Sequence, residues 1–140
     1  MKPSFFSLSL ATALLLLPAS AAEKESSALG KQMTALNDAF KAFRRETDPL
    51  KGAAQARDAQ QAALKSAAQV PELIQQMPDG PEKTKALLEF HQMIGKLYLN
   101  LCAVEEAFLN GKIADVTKIV NTLKDEKKTG HDKFMKEEKP

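Results

Sequence analysis

Few residues in this 140-residue chain can bind a metal or run acid–base chemistry: two histidines, His91 and His131, one cysteine, Cys102, and five methionines. No nucleophile, base and orienting acid meet in a recognisable motif, so hydrolase chemistry has no support. What remains is coordination. A soft thioether favours ferrous iron, and an imidazole holds iron in either oxidation state. Met33, His91 and His131 do not make a closed tetrahedral site, because no fourth ligand accompanies them. A single cysteine excludes an internal disulfide. Cys102 reads as a small buried hydrophobe in a monomer, with a dimer through an intermolecular disulfide as the alternative.

The elements that must position these residues are helical. The chain is 44% hydrophobic, 27% charged and 6% aromatic, with no Trp. Ala, Leu, Lys, Glu and Gln dominate over β-branched residues, which excludes an all-β fold. A net charge of +2 leaves no electrostatic case for nucleic acid, and the apolar content argues against wholesale disorder. Met1 and Lys2 lead into the apolar run 5–17, which is too short to span a bilayer, and small residues follow at Ala19, Ser20, Ala21 and Ala22. Residues 1–22 are therefore expected to be a cleavable signal peptide that exports a single domain, residues 23–140, to the periplasm. The other reading is an uncleaved anchor. The mature chain carries no further apolar segment for membrane insertion, and loss of Lys2 lowers its formal charge to +1.

Apolar residues then recur at helical spacing in four stretches. The first, about 26–47, carries Leu29, Met33, Leu36, Phe40 and Phe43, and is expected to stop at Asp48-Pro49. The second, about 53–69, is Ala-rich with Leu64 its one large apolar residue, which predicts the weakest contributor to the core. Pro71 to Pro81 reads as a loop that packs Leu73, Ile74 and Met77 downward. The third helix spans about 82–110, with Gly111 as its cap, and the fourth about 112–137. In the fourth, Ile113, Val116, Val120 and Leu123 set a stripe that nearly vanishes until Phe134. At about 100° per residue His131 projects within about 20° of Val120, which predicts a histidine on the buried face.

Short connections favour an up-down-up-down antiparallel four-helix bundle, in which the first and fourth helices are neighbours. Met33, about two turns into the first, and His131, about two turns before the end of the fourth, then share one core layer. A planar iron porphyrin between them would find one axial ligand on each face and fill the volume that the interrupted stripe leaves. His91, near the start of the third helix, lies at the same end, so bis-histidine ligation is also open. No C-x-x-C-H is present, so such a haem would be non-covalent.

Several segments resemble the soluble periplasmic cytochrome b562 family. Met33-Thr34-Ala35-Leu36-Asn37-Asp38, followed by Phe40 and Lys41, is similar to its M-x-x-L-N-D-x-L-K segment. Ala53-Ala54-Gln55-Ala56-Arg57-Asp58-Ala59 resembles the start of its second helix. Asp79-Gly80-Pro81-Glu82 is similar to D-S-P-E, and His131-Asp132-Lys133-Phe134 runs in register with its Y-H-Q-K-Y. The resemblance implies Met33 and His131 as iron ligands, and one non-covalent haem b per chain. It places Leu36 in the ligand context, Phe90 and Ile94 against the haem, and Lys127 where the family often carries arginine, near a propionate. Gly130 replaces the family's bulkier residue before the histidine. The implied function is one-electron transfer with a periplasmic redox partner protein, not catalysis. A haem-free periplasmic helical adaptor or stress-binding protein stands as the alternative.

Overall fold

The computed structural model describes residues 27–135. The expected signal peptide lies outside the described residues. Five helices follow in order: α1 (Ala28–Phe43), α2 (Pro49–Ala67), the single turn α3 (Glu72–Gln75), α4 (Pro81–Leu109) and α5 (Ile113–Phe134), with no strand among the described residues. The four long helices form the expected up-down-up-down antiparallel bundle.

Local chemistry sets the helix ends. Ser27 Oγ accepts from Gly30 N at 3.0 Å, capping α1. The pair Asp48-Pro49 does not stop the first helix, which ends at Phe43 and not near 47 as expected. It starts α2: Asp48 Oδ1 accepts from Lys51 N at 2.9 Å, and Pro49 occupies the first helical position, where its missing N–H costs nothing. Before it, Glu46 Oε1 accepts from Asp48 N and Thr47 N, and these two bonds hold the Glu46 carboxyl below its ordinary range. α4 closes with Gly111 at φ +67°, Lys112 N donating to Ala107 O and Gly111 N to Phe108 O, the paired bonds of a glycine-terminated helix.

The expectation for α2 is corrected. It is the most buried helix, with Gly52, Ala53, Ala56, Ala59, Gln60, Ala62, Ala63 and Ser66 all inside. Small side chains give no stripe of large apolar residues, but they let α1 and α4 pack closely on either side. At Gly52 the Phe108 ring of α4 occupies the place a Cβ would take.

The core divides into two clusters along the bundle axis. The larger joins Phe43, the α2 alanines, Leu101, Val104, Phe108, Val116, Val120 and Leu123. The smaller, at the other end, joins Ile74, Phe90, Ile94 and Phe134, with Met33, Met77 and Met93 packed against it. Ile74 and Met77 reach it from α3 and the turn after it, so two of the three apolar residues expected to pack inward do so, while Leu73 is half-buried and joins neither cluster.

Around the bundle α1 packs on α2, α2 on α4 and α4 on α5. The fourth edge stays open. Among the described residues no Cα of α1 comes within 8 Å of α5. On α1 only Phe43 is fully buried, while Leu29, Met33, Leu36 and Phe40 remain half-exposed.

Candidate cofactor site

The open edge is a groove of about 520 Å³ between α1 and α5. Asn37, Phe40, Lys41 and Arg44 form one wall, and Lys124, Lys127, Lys128, His131 and Asp132 the other. Among the described residues a single hydrogen bond spans it, Lys127 Nζ to Asn37 Oδ1 at 2.8 Å.

His131 lines this groove and is exposed to solvent, not buried in the core. The inward residues of α5 run Val116, Val120, Leu123, Gly130 and Phe134. At about 100° per residue these residues fall within about 40° of the Val116 direction. Val120 marks the margin of that face and His131 lies about 20° beyond it, about 60° from Val116 and Phe134, so it faces the groove.

Met33 sits one turn before Asn37 on the same helix, half-buried against the smaller apolar cluster. Phe90 and Ile94 are buried in that cluster, and Phe134 meets the Phe90 ring edge-on at 5.5 Å between centroids. Leu36 packs half-buried against the larger cluster. Met33, Phe90 and Ile94 thus share one cluster, while His131 and Lys127 belong to the adjoining groove. His91 is exposed, with its ring 5.8 Å from Phe90, and lies in neither the groove lining nor the apolar cluster. Cys102 is half-buried beside Tyr98, whose hydroxyl it pushes up in pKa through their hydrogen bond.

Sequence reasoning passed over Arg44, Lys124 and Lys128. The available signal was their three- and four-residue spacing beside Lys41 and Lys127, which places each set on one helix face. It also passed over Met93. Its Sδ lies 2.8 Å and its Cε 3.1 Å from where a Cβ of Gly130 would stand, so the residue before His131 has given its volume to a thioether from α4. One turn further on, Lys133 Nζ and Glu89 Oε2 pair at 2.7 Å, and that hydrogen bond and charge hold the Glu89 carboxyl below its usual range. The attraction is complete above the ordinary carboxylate pKa and is lost as pH falls through the lowered value.

Because the displaced atoms are the far end of a flexible side chain, Gly130→Ala is expected to change stability by no more than about 1 kcal/mol, the Met93 shift offsetting the gain in helix propensity. Gly130→Leu should cost about 1–3 kcal/mol by overpacking. Urea unfolding checks both, and a shifted Met93 ε-methyl resonance reports the contact itself.

A four-helix bundle with one unclosed edge, an imidazole on that edge and a thioether beside it is the construction of a cofactor-binding bundle, in which facing helices supply the ligands. Comparison with known families agrees: the Cytochrome b562 model matches residues 28–135. The chain belongs to the cytochrome b562 family, a family of haem-binding electron carriers. No curated protein sequence matches it significantly.

The residue types suit a haem: an imidazole stands on the groove wall, a thioether lies one turn from the groove on the facing helix, an apolar cluster adjoins them, and Lys127 on the rim is a partner a propionate could take.

Proposed function

We propose that the chain is a periplasmic one-electron carrier that holds one non-covalent haem b between α1 and α5, with Met33 and His131 as its axial ligands. The observation that carries this reading is the unclosed α1–α5 edge with His131 on its wall. When bound, the haem supplies a reversible one-electron couple. His131 presents a ring nitrogen lone pair to the groove, available only while the imidazole is neutral. Met33 offers its sulfur on a side chain with three rotatable bonds, enough to swing from the apolar cluster toward the groove one turn away. Phe90 and Ile94 keep water from that cluster and lower the local dielectric. Lys127, held by Asn37, can exchange that amide for a carboxylate, a stronger charge-assisted bond.

If Met33 and His131 both held the haem, no ligand site would be left for a substrate, which would favour outer-sphere transfer over oxygen activation. The chain has no C-x-x-C-H to tether the group. Among the described residues no helix is long and apolar enough to cross a membrane. Export then rests on residues 1–22.

The test is an optical spectrum of the protein expressed with its leader and recovered from the periplasm. The expected result is a reduced low-spin b-type Soret and α band at about one haem per chain. Acidified organic solvent should extract all of it, because protonation takes the His131 lone pair and no thioether bond holds the group. Haem left on the polypeptide would refute the non-covalent assignment. A folded chain with no haem uptake would favour the haem-free adaptor.

A further inference from the structure

The charges around the groove are unevenly distributed. Five cations, Lys41, Arg44, Lys124, Lys127 and Lys128, line its walls against one carboxylate, Asp132. Lys41 is paired with Asp38 at 3.5 Å. The other four have no carboxylate partner among the described residues; Lys127 and Lys124 reach only the amide oxygens of Asn37 and Asn121. Lys124, Lys127 and Lys128 stand three and four residues apart on α5, which bears these like charges on one face against its own stability, while Lys41 and the C-cap Arg44 stand three apart at the end of α1. The whole chain carries a formal charge of only +2, so the excess is local to this edge.

We infer that the α1–α5 rim is the docking surface for an acidic partner protein, which presents a protruding cluster of carboxylates to the groove. Charge and placement select this partner class. The cations stand on both sides of the groove mouth, so with haem seated in the groove they would ring its exposed edge, where a carboxylate cluster on a protein exchanging electrons there meets cations from both helices at once. Two haem propionates would engage two of the five cations, and three would still face a single carboxylate. As a site of electron exchange the surface rests on the haem reading; as an anion-binding surface it does not. Field focusing in such a cleft raises the encounter rate of an anionic partner and makes it depend steeply on salt.

Two measurements separate the inferences. In the first, reduced haem-loaded protein is mixed with ferricyanide or with the cationic tris(phenanthroline)cobalt(III), from about 0.01 M to about 0.3 M ionic strength, where screening becomes effective. The ferricyanide rate should fall about tenfold with salt and the cobalt rate should rise. The Lys124→Glu, Lys128→Glu double variant should slow ferricyanide about tenfold at low salt, with the haem spectrum unchanged. Equal salt dependence for both reagents, or an unaffected variant, overturns the inference. In the second, the full chain is titrated with a polyglutamate peptide and followed by amide NMR. Shifts should map to both walls of the groove and disappear in the double variant. Peptide binding by a chain that takes up no haem would sustain the surface and refute the haem reading. A normal haem spectrum with no peptide binding would do the reverse. Binding to phosphatidylglycerol vesicles through Lys124 and Lys128, with none to the peptide, would overturn the partner class.

Discussion

His131→Ala is expected to lose haem affinity by more than the roughly 10–100-fold that removal of an outer-shell partner costs at a metal site, because this variant deletes the proposed imidazole ligand itself. Since His131 is exposed and supports no core contact, the variant should fold as the parent does, so lost uptake would report ligation and not collapse. Met33→Ala should behave differently. Haem stays bound through His131, the opposite position becomes open or water-filled, the spectrum turns partly high-spin and the reduction potential falls, because the thioether's preference for ferrous iron is gone. Some stability goes with it, below the roughly 2–5 kcal/mol of a fully buried Met→Ala change, because Met33 is only half-buried. His91→Ala is the control. Lying outside the groove lining and the cluster, it should leave the spectrum unchanged. If it removed the low-spin signal while Met33→Ala retained it, His91 and His131 would be the ligands.

The second large effect lies at the opposite end. Phe108→Ala should cost about 3–5 kcal/mol in urea unfolding, since the ring is fully buried and fills the hollow over Gly52. Gly52→Ala in the parent should cost about 1–3 kcal/mol, because its Cβ and the ring cannot share one place. Combined, the effects should not add. Once the ring is gone, alanine at position 52 meets no obstruction and gains up to about 1 kcal/mol of helix propensity, so the second substitution should reverse sign. Simple additivity would show that the ring does not depend on the missing Cβ.

The elements that were legible in the sequence are those whose signals are local: the turn at Gly111 and the apolar stripe of α1. α2 was undervalued because burial there is carried by alanines, which mark closeness of approach and leave no pattern of size. The start of α2 was misplaced because Asp48-Pro49 ends one helix reading and begins another, and only the cap bond decides which. Met33 and His131 were placed at the same end, and the structure places them there, but in adjoining compartments. For His131 the difference arises because its direction was judged against Val120, which lies at the margin of the buried face, and not against Val116 and Phe134, from which it stands about 60° away. The groove itself was least legible. An edge where two helices do not close is a property of the whole bundle, and its cations read locally as an ordinary solvated face.

The division of the core into a larger and a smaller cluster sets how the molecule breathes. Twelve buried residues hold one end together and four hold the other, where Gly130 further weakens the helix that carries His131. Amide hydrogens of the last turns of α5 and the first turns of α1 should therefore exchange through partial opening at well below the free energy of global unfolding, while those around Phe108 wait for the whole bundle. A flat guest can thus be admitted by fraying one end, with the far end acting as a permanent hinge. Capture and release become local events, and the guest, once bound, staples shut the half of the protein that its own sequence leaves loosest.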